Sequence, residues 1–197
     1  MEAQKTKMTT RLTNLGVPFT FQFLVTTTGT PEQLTVKRRA TTIAFSENTP
    51  DADTITDSGN GFLIAGFQDG DQITVSSTSG LNDGTYVISS VVAGTITLLA
   101  RNDLTTETAA AAGTVTITAP KSVPDGVAVT IKAMYANGGT IRVADSSAKA
   151  LNTATGGFGL RNNESVGLQV ENINDIWLDA TVSGEGVEVI FEKSVQA

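Results

Sequence analysis

The sequence predicts an all-β chain, with an extended N-terminal arm, then a small antiparallel barrel, then a β-sandwich or jelly-roll-like domain. Three observations predict it. Apolar and polar residues alternate in many short runs, the period of a half-buried strand. Gly, Asn and Asp collect between those runs, where their tolerance of positive φ suits tight turns. No segment carries the sustained helical periodicity that the crossovers of a parallel α/β sheet require.

Taken in order, Phe19-Thr-Phe-Gln-Phe-Leu-Val25 alternates between Pro18 and a Thr-Gly run ending at Pro31, and reads as a strand. Gln33–Lys37 alternates as well, so 26–31 is either a hairpin loop or a connector to another sheet. Strands follow at Thr42–Phe45, Gln72–Ser76, Thr85–Ile88, Thr95–Leu99 and Thr114–Ile117. The Gly80-Leu-Asn-Asp-Gly84 turn folds the second of these against the third as a hairpin, and Ala93-Gly94 makes the next turn. Thr105–Ala112, with its alanine run, is the one segment with helical character. The remaining strands are Val127–Ile131, Thr140–Val143, Ser165–Val170, Asp175–Ala180 and Val187–Phe191, and Thr155–Leu160 reads as a loop. Pro120 and Pro124 bracket a junction. The expected divisions are residues 1–40 as a basic arm with one or two strands, 41–119 as an acidic barrel, and 120–197 as a sandwich. If the arm lends the sandwich a strand, the barrel is an insertion.

Composition excludes several functions. The chain has no cysteine, hence no disulfide, thiolate metal site or cysteine nucleophile, and no histidine, hence no Ser-His triad and no imidazole ligand. No apolar run approaches the roughly 20 residues of a spanning helix, and Met1–Thr10 is polar where a signal peptide is apolar, so neither membrane insertion nor signal-dependent export is expected. The net charge of -7 is uneven. Residues 1–40 hold Lys5, Lys7, Arg11, Lys37, Arg38 and Arg39 against two acids, whereas 41–120 holds Arg101 against nine. The six basic residues are the candidate partner-binding groups, matched to an acidic protein surface. They are too few, and too far from aromatics, for nucleic acid.

Motifs that suggest chemistry have structural readings beside them. Asp51-Ala-Asp-Thr-Ile-Thr-Asp57 gathers oxygen ligands as a calcium loop does, but Ile55 fills the fifth position and the bidentate Glu is missing. A polar turn whose side chains accept backbone N–H groups is the simpler reading. Asp69-Gly-Asp71 is read the same way. Glu185 with Glu188, or Asp175 with Asp179, could serve as a glycosidase pair, but one Trp and two Tyr make a poor sugar platform. Trp177 is read as core rather than interface. Thr155–Leu160 is glycine-rich yet lacks the Lys-Ser/Thr pair of a phosphate loop. No catalytic, cofactor or metal residue is assigned.

Two stretches resemble known proteins. Asp69-Gly-Asp-Gln-Ile-Thr-Val-Ser76, Asn82-Asp-Gly-Thr-Tyr-Val-Ile88, Ala93-Gly-Thr-Ile-Thr-Leu98 and Thr114–Ile117 are similar to a small β module of tailed-bacteriophage structural proteins. Val123-Pro-Asp-Gly-Val-Ala-Val-Thr-Ile-Lys-Ala133, Asn137-Gly-Gly-Thr-Ile-Arg-Val143, Ala150-Leu-Asn152 and Asn163-Glu-Ser-Val166 resemble a domain of phage virion components, including head decoration proteins. The resemblance implies a non-enzymatic protein on the outer surface of the phage head, made in the host cytoplasm. It further implies the major capsid protein as partner and a symmetric homo-oligomer, a trimer, bridging capsomers. A tail, baseplate or fibre-base protein, with a tail protein as partner, and a host-surface or carbohydrate-binding module are the alternatives.

Overall fold

The computed structural model describes residues 17–99, 103–151 and 156–193. In chain order the strands are β1 (Val17–Leu24), β2 (Glu32–Gln33), β3 (Val36–Ala40), β4 (Ile43–Ser46), β5 (Thr54–Asp57), β6 (Gln72–Ser77), β7 (Gly84–Val92) and β8 (Thr95–Leu98). There follow β9 (Val115–Ala119), β10 (Val129–Ala133), β11 (Ile141–Ala144), β12 (Phe158–Leu160), β13 (Ser165–Leu168), β14 (Trp177–Ala180) and β15 (Gly186–Lys193). Among the described residues three one-turn helices interrupt them, α1 (Phe62–Ala65), α2 (Ala109–Ala112) and α3 (Ser147–Ala150), with a 3-10 turn at Ile173–Asp175. The all-β class is observed, in antiparallel sheets. The described residues divide into two compact units, one of 17–20, 25–31 and 122–193, the other of 21–24 and 32–121.

The unit of 32–121 is built on a seven-stranded sheet of order β3-β9-β6-β7-β8-β5-β4. Alternation sets its faces. On β9, Val115, Ile117 and Ala119 are fully buried, and on β8 so are Ile96 and Leu98, nearly or wholly. The opposite face is a ladder of hydroxyls, with Thr54 opposite Thr97, Thr56 opposite Thr95, Thr74 opposite Thr118 and Ser76 opposite Thr116. β-Branched residues suit both faces, and such cross-strand pairs contribute about 0.2–1 kcal/mol each. The β6–β7 hairpin forms as the Gly80–Gly84 turn predicts, and β7 pairs with β8 through a bulge between Ile88 and Ser90. The expected barrel closure is not observed. Only Thr41 and Thr42 separate the two edge strands, β3 and β4, but no ladder joins them in the sheet order. Instead Arg38 on β3 reaches Asp57 on β5 by its side chain.

The other unit is sandwich-like. One sheet has the order β15-β10-β13 with β1 at its margin, and the second contains β12-β11-β14. Val129, Ile131 and Ala133 of β10 are fully buried, as are Ile141 of β11, Leu178 of β14 and Val187 of β15. Phe19 meets Phe191 edge to face, ring centroids 5.2 Å apart. No helix among the described residues is long and apolar enough to cross a membrane.

Three strands depart from the sequence reading. Gln33–Lys37, expected as one strand, is divided between β2 and β3, with Leu34 and Thr35 in neither. Thr54–Asp57, expected as part of a polar turn, is β5, because Ile55 is a single buried residue between two threonines and its flanking carboxylates are turned inward. Phe158–Leu160, expected as a loop, is β12, anchored by Leu160 opposite Ile141. Ile55 has no exposed surface, so Ile55→Ala should destabilise the protein by about 2–5 kcal/mol, read as an earlier urea midpoint. A loss below about 1 kcal/mol would show that β5 is not a core strand.

Candidate functional site

The most elaborate polar arrangement surrounds Asp57. Ending β5, it is 1% exposed. Its Oδ2 accepts Arg38 Nε at 2.7 Å and the Gly61 amide at 3.1 Å, while Oδ1 accepts Thr42 Oγ1 at 2.5 Å and the Gly59 amide at 2.9 Å. Glycine at 59 and 61 is what admits the arginine, because a Cβ at Gly61 would collide with the guanidinium and one at Gly59 would lie 2.7 Å from Nη2. Burial pushes the Asp57 carboxyl upward, but Arg38, Thr42 and the two amides outweigh it and hold the pKa at about 2. Asp53, without exposed surface, accepts the amides of Asn48, Asp103 and Leu104. Asp53 and Asp57 of the calcium-like stretch are thus used as acceptors for the chain's own backbone, whereas Asp51 is exposed.

The predicted basic triplet lies on the edge strand β3. Lys37 pairs with Glu32 and stands 4.5 Å from the centroid of the Phe23 ring. Arg38 is committed to Asp57. Arg39 alone of the three is exposed. Lys5, Lys7 and Arg11 lie outside the described residues.

Carboxylates elsewhere are also engaged. Asp69 accepts the Val91 amide, and Asp71 accepts the Gln68 amide and pairs with Lys121 at 2.5 Å. Glu185 Oε1 accepts the amides of Gly138, at 2.6 Å, and Gly139. A Cβ on Gly139 would collide with Thr181 Oγ1, so this clasp requires glycine. Glu188 pairs with Lys132, and Asp179, fully buried, accepts the amides of Gly29 and Ala180. Neither postulated glycosidase pair faces the groove of about 420 Å³ lined by Pro18, Val127, Ala128, Thr130, Ile190 and Glu192. Trp177, read as core, is half-buried, on the face of β14 opposite Leu178.

One surface escaped the sequence reading. In α1, Phe62 and Ala65 are buried while Leu63 and Ile64 are 51% and 70% exposed. The signal was present in Phe-Leu-Ile-Ala, since a single helical turn cannot turn four successive apolar residues inward. Leu99, 67% exposed, and Val92, 59%, are further apolar residues of this unit in contact with solvent.

The lowered pKa of Asp57 fixes a sign. Its stabilising effect, about 2 kcal/mol, is complete above the ordinary value of 3.8 and is lost as pH falls through about 2. Asp57→Asn should lower stability by about 3 kcal/mol at neutral pH, and its difference from wild type should shrink between pH 4 and 2 in urea titrations. A pH-independent difference would refute the ion pair as its source. Comparison with known proteins finds no matching family model, no similar curated protein and no similar solved structure.

Proposed function

We propose that this chain is a structural component of a tailed-bacteriophage particle, a capsid decoration or cement protein that binds the outer shell and bridges capsomers. In this reading the curled seven-stranded sheet is a small open barrel, the paired sheets are a jelly-roll-like sandwich, and the chain acts as a homo-oligomer without catalysis. The observation that carries it is the use to which the acids are put. Asp53, Asp57, Asp179 and Glu185 are buried and accept hydrogen bonds from loop amides, which fixes loops in place. A protein that must remain folded in the open, without disulfides, needs rigid loops and well-filled β cores. The hydroxyl face of the large sheet and the exposed apolar residues of α1 offer surfaces for contact with neighbours.

Function then follows by mass action, because each bound copy favours the assembled shell over its dissociated parts. The partner is the major capsid protein, with the basic residues near the N-terminus and Arg39 facing its acidic surface. Purified protein added to shells that lack it should bind in stoichiometric copy number and raise their dissociation temperature. Removal of residues 1–15 should abolish that binding. Binding to isolated tails instead would move the protein to the tail, and full-strength shell binding by the truncated chain would remove the arm as the grip.

A further inference from the structure

The outer face of the sheet that holds β15, β10 and β13 is charged at one level and apolar at the next. Val129, Ile131 and Ala133 of β10 point inward, so Thr130 and Lys132 point out. Lys132 stands opposite Glu188 and pairs with it, whereas Thr130 stands between Ile190 on β15 and Gly167 on β13. Ile190 is 45% exposed although its strand has neighbours on both sides, and nothing lies within 4 Å of where a Gly167 Cβ would stand. Thr130 and Ile190 line the groove of about 420 Å³ together with Pro18, Val127 and Ala128, and Glu192 is the titratable group among its lining residues. Pro18 brings the chain itself to the rim, because residues 1–16, which lie outside the described residues, join them at Val17.

We propose that the groove is the docking site for the segment of the same chain just before β1, with Leu15 seated against Ile190 and Ala128 and Leu12 beyond it. Three constraints select this occupant. Leu15 is three residues from Pro18, so its Cα is held within about 10 Å of a residue that lines the groove. Such a tether sets an effective concentration on the order of millimolar before any attraction acts. Pro18 holds Val17 extended, so Gly16 is the first residue at which the chain is free to turn back across the face. The stretch Arg11-Leu-Thr-Asn-Leu15 carries the complement of the site, two leucines for its apolar floor and one positive charge for Glu192. Lys5 and Lys7 then lead away from a fixed point on the sheet. The contact deepens the part given to the basic arm in the proposed function, but is tested on the isolated protein, so its failure is distinguishable from a failure to bind shells.

Because the chain has no cysteine, a pair of introduced thiols reports the contact directly. In a glutathione buffer, the full chain with Leu15→Cys and Ala128→Cys should close an intrachain disulfide, seen as the loss of two hydrogens from the intact mass. Closure should be about tenfold more favourable than for Leu15→Cys with Ala148→Cys. Ala148 is an exposed residue of α3, which packs on β11 and β14 of the other sheet. Leu15→Ser should raise the unfolding equilibrium constant about tenfold in urea titrations, and by less than about twofold when Ile190→Ser is already present. Equal closure of the two cysteine pairs, or a disulfide formed between chains rather than within one, would overturn the proposal, as would additive effects of Leu15→Ser and Ile190→Ser.

Discussion

A carboxylate withdrawn from water must be supplied with hydrogen-bond donors, and much of this structure is arranged around that requirement. Asp57 takes four donors where the ends of the curled sheet approach each other, so one residue fixes the path of β3, the turn after β5 and the entry to α1. Asp53 ties down the segment beginning at Asp103, and Glu185 ties Gly138 and Gly139 to the turn before β15. Each acid converts a stretch of loop backbone, which would otherwise need water, into part of the packed body. The arrangement is charge-efficient as well. Buried negative charge is met by fixed N–H dipoles, with a full counter-charge at Asp57 from Arg38 and at Asp71 from Lys121.

Much of the strand content was legible in the sequence because period-two alternation and turn chemistry act locally. Val129-Thr-Ile-Lys-Ala133 and Val115-Thr-Ile-Thr-Ala119 bury every second residue as written. The departures have long-range causes. Thr54–Asp57 becomes a strand because Phe45 and Ile96 flank Ile55 on neighbouring strands, and nothing within four residues announces that pairing. The one-turn α1 forms between two glycines, with Gly66 at φ 96° ending it in the left-handed region. Its apolar composition reads equally well as a strand.

The polar residues were legible in kind but not in partnership. The Asp-rich stretch invited a metal reading, and its alternative, side chains accepting backbone N–H groups, describes what Asp53 and Asp57 do. That the donors would include Arg38 depends on how the sheet curls. The basic triplet shows the same limit from the other side. Three successive charges look like a single patch in sequence, but a strand sends neighbours to opposite faces, so Lys37 and Arg38 are drawn into separate pairings and Arg39 is left outward.

The hydroxyl ladder on the seven-stranded sheet has an entropic consequence. Long charged side chains lose on the order of 1.5–2 kcal/mol of rotamer freedom when another surface covers them, whereas threonine, restricted at its single branched torsion, has little freedom left to surrender. The face formed by Thr54, Thr56, Thr74, Thr95, Thr97, Thr116 and Thr118 is therefore already ordered before anything touches it. A neighbour laid against it meets a surface whose conformational disorder has largely been spent on folding.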